Sequence, residues 1–283
     1  MNGAVTRYIR NWKLLIGAFM SSLAGIFLIF ESYEVLTDND IIFSFSIYLL
    51  ISAVSAISYF LVDGYLASGH LLGKIELFQK TFGSKVIVEF GDIFKQDGCK
   101  AISVNDFFDN QVDDVIISST SLHGHVLDTY WRGNSEEWYE KVAEDLKSET
   151  PAQESRSSGK TLRYSIGTTA HVKSGSEKFL FVALGYTSII DNTTAATAEN
   201  LICAIRGLLK KARVVCSNQT LVIPLMGSGL ARVGISNAVL LDIILCGIFE
   251  ELKQGKVTSE IKVILPKSMD GLIDLIPIKR KWH

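Results

Sequence analysis

Four short stretches of this 283-residue chain hold residues that could do chemistry. Gly91-Asp92-Ile93-Phe94 and Asn105-Asp106-Phe107-Phe108 each follow an apolar run. Ser119-Thr120-Ser121-Leu122-His123-Gly124-His125 lies further along. Met226-Gly227-Ser228-Gly229-Leu230-Ala231-Arg232 stands between an apolar run and an amphipathic segment. The last has a direct physical reading: glycines let a backbone approach a phosphate, and free amides with a helix dipole favour an anion. The same glycines could simply make a tight turn. Arg232 has a planar fork suited to a pyrophosphate or a carboxylate, and a surface salt bridge would use it equally well. His123 and His125 flank Gly124, but no third ligand stands at a fixed spacing, so no metal is expected. Either histidine could touch a phosphate or pack within its loop. His171 reads as structural, Asp113-Asp114 and Glu136-Glu137 as solvated charge, and Trp131 and Trp138 as packing over the loops or in the core. A Ser-His-Asp elbow, a P-loop and an HExxH are all missing, so neither catalytic residues nor a cofactor are expected.

The segments that must position these loops alternate. Strands are expected at 86–90, 101–104, 162–172, 179–184, 220–225 and 261–265, with a hairpin around 173–177. Helices are expected at 138–146, 197–211 and 237–252. This pattern predicts an α/β domain with a mixed, mainly parallel sheet flanked by helices. Such sheets bind ligands outside the carboxyl ends of their strands, and three of the four stretches follow strands. The Ser-rich run 147–160 reads as a surface loop inside the domain. The four cysteines, Cys99, Cys203, Cys216 and Cys246, form neither a CxxC nor a zinc spacing. They read as four buried, reduced thiols of a cytosolic domain.

The mean hydropathy is positive, +0.26, and the excess is local. Residues 14–30 and 41–62 contain no charge, and 13 of 17 and 17 of 22 residues are apolar. A bilayer core of ~30 Å needs ~20 helical residues, so two transmembrane helices are expected. A signal peptide and two buried core helices are the competing readings; the first fits poorly because a second span follows at once without a cleavage site. Between the spans lies an acidic loop, 31–40. Arg7, Arg10 and Lys13 precede the first span, while Lys74 and Lys80 follow the second. By the positive-inside rule, both ends and the remainder of the chain face the cytoplasm of an inner-membrane protein. Residues 64–84 read as a connecting helix and 85–283 as the ligand-binding domain. Gly17, Ser21 and Gly25, and Ser52, Ser55, Ala56 and Tyr59, form small or polar faces suited to helix association, within one hairpin or between copies. Beyond residue 63 the chain carries 25 Lys/Arg and 25 Asp/Glu, a balance that argues against nucleic acid as a partner.

The motifs GDIF, AISVNDFFD, SSTSLHGHV and IPLMGSGLARVGIS resemble the successive landmarks of the macro domain, a reader of ADP-ribose. Together with two N-terminal spans, they resemble the membrane-bound macro-type ThsA effectors of bacterial Thoeris anti-phage defence. The resemblance covers the whole chain. It implies that the cytoplasmic domain binds an ADP-ribose derivative, reported for this family as histidine-linked ADP-ribose, made by a TIR-domain enzyme. Binding would drive homo-oligomerisation and disruption of the lipid membrane. It further implies that Asp92 meets the adenine amine, Ile93 makes the adjacent backbone contact, and Asn105 lies near the distal ribose. Ser121, Leu122, His123 and Gly124 would form one phosphate loop, and Gly227, Ser228, Gly229 and Leu230 the other, with Arg232 nearby. The chain has SVNDFF and SLHGH where a typical macro domain has an AN-AAN run and a GGG loop. That departure argues against ADP-ribosyl hydrolysis and for an altered distal pocket. A membrane-bound hydrolase and a scaffold without ligand are the rival functions.

Overall fold

The computed structural model describes residues 3–38, 44–78, 83–216, 218–229 and 233–282. Residues 41–43 of the expected second span, and Leu230 and Arg232, lie outside them. The chain divides into two compact units: residues 1–75 with 270–281, and residues 76–269 with 282–283.

The first unit begins with α1 (Gly3–Arg10), α2 (Trp12–Thr37) and α3 (Phe45–Val62), which runs on as a π-helical turn, Asp63–Ala67. The 26-residue α2 and the 23 residues from Phe45 to Ala67 are each long and apolar enough to cross a membrane. None of α2 is buried, and α3 buries only Ser52, Ala56 and Phe60. Phe27, Leu28 and Ile29 are 58–69% exposed. Apolar area of this size is unfavourable in water and suits a lipid solvent. The two helices pack against each other, with the rings of Phe30 and Tyr48 meeting edge-on at 5.3 Å. The expected loop at 31–40 is corrected over residues 31–37, which continue α2. That stretch lacks Gly and Pro, and the helix stops at Asp38, whose left-handed backbone (φ 53°) turns its amide onto the Glu34 carbonyl.

The connecting helix expected at 64–84 is also corrected over residues 68–78 and 83–84; residues 79–82 lie outside the described residues. Gly69 (φ 69°) turns the chain, and Lys74–Phe78 forms β1. There, buried Ile75 and Leu77 alternate with exposed Lys74 and Glu76, a period of two rather than 3.6. The C-terminal stretch joins this unit. A Cβ on Gly69 would lie 1.8 Å from Ile276 Cγ1, Arg280 Nη2 donates to the Ala67 carbonyl at 2.9 Å, and Asp270 accepts from Arg7 Nη1 at 2.8 Å. The last helix, α8 (Leu275–Trp282), had no expected counterpart in the sequence.

The second unit is built on a sheet of order β1-β2-β10-β9-β3-β7-β6, with β8 paired to β7. Its strands are β2 (Lys85–Gly91), β3 (Cys99–Asn105), β6 (Thr169–Ser174), β7 (Glu177–Thr187), β8 (Thr194–Ala195), β9 (Leu221–Pro224) and β10 (Glu260–Pro266). β2, β10, β9, β3 and β7 run parallel, and β6 and β8 pair with β7 antiparallel. On β7, Phe179, Phe181 and Ala183 share a buried cluster with Val126 of α4 (Leu122–Tyr130) and with Trp138 and Val142 of α5 (Ser135–Asp145). Leu180, Val182 and Leu184 alternate to the other face, where α6 (Ala198–Val215) packs on β7 and against α7 (Asn237–Lys253). The result is a three-layer α/β domain with a mainly parallel sheet, as the alternating pattern predicts.

Four local expectations change. Of the four cysteines expected to be buried, Cys203 and Cys246 are exposed. The strand expected at 162–172 splits into β5 (Leu162–Arg163) and β6, because Gly167 (φ 94°) breaks it. The Ser119–His125 stretch is not a plain loop: from Leu122 it is the first turn of α4. The polar run 147–160 is not wholly a surface loop. It contains β4 (Ala152–Gln153), paired with β5, and the Arg156 side chain is fully buried.

Candidate functional site

A cavity of about 650 Å³ lies across the carboxyl ends of β10, β9, β3 and β7, marked by Pro266, Pro224, Asn105 and Gly185 on its wall. Its size falls within the ~300–1,000 Å³ of small-molecule sites. The strand-end loops complete it. Asn105, Ser121, Leu122, His123, Gly227, Ser228 and Gly229 all line it. Gly124, Asp92 and Ile93 do not.

The α4 wall is set by helix capping. Ser121 Oγ accepts from the Gly124 amide at 2.9 Å and donates to the Ser118 carbonyl at 2.7 Å. Gly124 permits that turn, since a Cβ there would lie 2.3 Å from Ser118 O. The N-terminus of α4 thus faces the cavity with the positive end of its dipole. The preceding turn is pinned by Asp114, whose Oδ1 accepts from the Ser119 amide at 2.7 Å and its hydroxyl at 2.9 Å. These bonds hold the Asp114 carboxyl below the usual range.

The β9 wall is a closed turn. Gly227 has φ 81°, and a Cβ there would lie 2.7 Å from Val233 Cγ2. Ser228 Oγ donates to the Leu225 carbonyl at 2.6 Å. Gly229 is open, with nothing within 4 Å of where a Cβ would be. Among the described residues, no lysine or arginine lines the cavity. An anion held here would be met by backbone amides and the α4 dipole.

His123 is buried beside Trp138 and Phe181, with ring centroids 5.0 and 6.1 Å away. Burial lowers its pKa to about 3, so at neutral pH it is an uncharged imidazole whose Nε2 has no partner. Asp92 caps the short turn Ile93–Lys95, its carboxylate accepting from the Phe94 amide at 3.0 Å, and Ile93 is a core residue. His125 packs on Phe94 at 4.8 Å. Among the described residues, no cluster of three His, Cys, Asp or Glu could hold a metal.

Asn105 is tied at both ends of its amide. Its Nδ2 donates to Asp109 Oδ2 at 2.8 Å, and its Oδ1 accepts from the Asp109 amide at 3.1 Å. Asp109 also pairs with Arg156 Nη1 at 2.9 Å, with both side chains no more than 1% exposed. Asp106 binds Arg163, and its Oδ1 accepts from the Thr187 amide at 3.0 Å. Burial raises the Asp106 pKa, with the Arg163 charge opposing. Arg156 and Arg163 stack on the Phe107 ring at 4.3 and 4.4 Å. Sequence reasoning missed this network. The only available signal was two acids, Asp106 and Asp109, just behind a strand, answered by Arg156 in the Ser-rich run and Arg163 three residues beyond it.

A parallel-centred, three-layer sheet with a cavity across its strand ends is the macro-domain fold. The Oceanobacillus iheyensis macrodomain shares it in two point-mutant forms. One aligns with TM-score 0.51 and 15% identity over 75% of this chain and 97% of its own. The other, solved with ADPR, aligns with TM-score 0.50 and 15% identity over 74% and 97%. The chain belongs to the family of the Thoeris protein ThsA, Macro domain, whose model matches residues 86–266. The Thoeris protein ThsA of Bacillus amyloliquefaciens (strain Y2) is 31% identical over 155 residues, 53% of this chain and 50% of that relative. The match thus spans half the relative's length.

Proposed function

We propose that this chain is a membrane-anchored anti-phage effector. Its macro domain binds an ADP-ribose derivative made by a TIR-domain enzyme, with the histidine-linked form as the preferred candidate. Binding shifts the population toward a homo-oligomer whose helices disrupt the inner membrane, with the macro domain on the cytoplasmic side. The observation that carries this reading is the cavity flanked by two anion-suited backbone segments, the α4 N-terminus and the Gly227–Gly229 turn. Membership of the ThsA family and the two long apolar helices support the setting. Binding is favoured over hydrolysis because the chain has SVNDFF and SLHGH where a typical macro domain has an AN-AAN run and a GGG loop. Calorimetric titration of the full chain in detergent micelles with ADP-ribose and its histidine-linked derivative tests the proposal. Saturable heat from at least one is expected, without turnover on prolonged incubation. Absence of binding to both would remove the reading, and steady release of product would favour the hydrolase.

A further inference from the structure

Arg156 lies outside every motif of the sequence, yet its side chain is fully buried. Burying a guanidinium is costly unless its donors are satisfied in a fixed geometry. Here the fork is spread over three partners. Nη1 meets Asp109 Oδ2 at 2.9 Å and also donates to the Lys160 carbonyl at 3.3 Å. Nε and Nη2 meet Asn192 Oδ1 at 3.1 and 2.6 Å. Asp109 in turn holds both ends of Asn105, and its Oδ1 accepts from the Lys160 amide at 2.6 Å. Asn192 Nδ2 donates to Ser158 Oγ at 2.9 Å. Asn105 and Asn192 both line the cavity, on the β7 side with Thr193 and Thr194. Beside Leu184 and Gly185 of β7, the polar side chains of that wall are uncharged amides and hydroxyls, whereas the glycine turn that suits phosphates lies on the β9 side. A neutral wall of this kind fits a hydroxyl-rich sugar.

We propose that Arg156 is a positioning residue that fixes Asn105, through Asp109, and Asn192 directly, so that the β7-side wall recognises the terminal sugar of the ligand. The inference rests on the reading of the cavity as an ADP-ribose-type site. A lysine cannot reproduce it, because one ammonium point charge cannot span these partners as the guanidinium's planar fork does.

The test compares ADP-ribose with ADP, which lacks the terminal sugar, by calorimetry on the full chain in micelles. In Arg156→Lys, affinity for ADP-ribose should fall about tenfold or more, while affinity for ADP changes by less than about threefold. An equal loss for both ligands, the mark of a merely structural arginine, would overturn the role, and so would no loss for either. Should Arg156→Lys fail to fold, Asn192→Gly serves instead, since glycine accepts the φ of 58° at that position. The same split is expected, and an unshifted ratio overturns the role. A wild-type chain that binds neither ADP-ribose nor its histidine-linked derivative overturns the reading of the cavity itself.

Discussion

Single residues of the cavity make separable predictions because their backbones differ. Gly229 has open space around it, so Gly229→Glu adds bulk and negative charge to the site without straining the fold. Its melting point should match wild type while calorimetry shows no binding. Gly227 is the opposite case. Its positive φ and the nearby Val233 make Gly227→Ala cost about 1–2 kcal/mol of strain, plus the clash, read as a lowered melting point. His123 predicts a pH dependence. Its folded pKa is depressed to about 3 from 6.5, so below pH 6.5 the unfolded chain takes up a proton that the folded chain refuses. The associated stability is complete above pH 6.5 and declines as pH falls toward 3, by up to about 1.4 kcal/mol per unit. Melting curves between pH 7 and 4 should therefore be flatter for His123→Leu than for wild type; parallel curves would count against the buried neutral imidazole.

At the scale of elements, the helices and strands of the α/β domain were legible wherever burial imposed a clean period. The apolar positions of α6, the apolar run of β9 and that of β10, broken only by Lys262, locate them within a few residues. Elements fixed by tertiary partners were not legible. β1 looks helical until the alternation of Ile75 and Leu77 is set against its turn at Gly69. The start of α4 hides in SLHG because its signal is one capping serine. Ser121→Ala should therefore cost about 1 kcal/mol of stability, and it should also weaken binding, since the same turn faces the cavity. Of the site, the two glycine-bearing segments and Asn105 could be read from residue types. Arg156 and Arg163 could not, because their partners lie 47 and 57 residues away. In the hairpin, Ser52 and Ala56 are taken up by packing within the chain, whereas Gly17 and Gly25 have nothing within 4 Å of a built Cβ. Ser21→Ile fills the open α2 face and is expected to leave ligand affinity unchanged while reducing ligand-driven cross-linking between copies. Full cross-linking would make that face irrelevant.

For the whole molecule, two parts of different character lie on one chain. One exposes apolar helices suited to lipid; the other is a charge-balanced α/β domain with a small-molecule cavity. The chain also returns to the first unit after leaving the cavity wall. Ser268 and Met269 line the cavity, and the next residue, Asp270, is held by Arg7 and Arg10 of the N-terminal helix. The central claim, that a nucleotide signal controls membrane integrity, is tested most directly by dye release. The full chain is reconstituted in dye-loaded vesicles with its macro domain outside, and ADP-ribose or its histidine-linked derivative is added. Release is expected to depend on ligand concentration and to be abolished by Gly229→Glu. Release independent of ligand, or saturable binding with the dye fully retained, would contradict it.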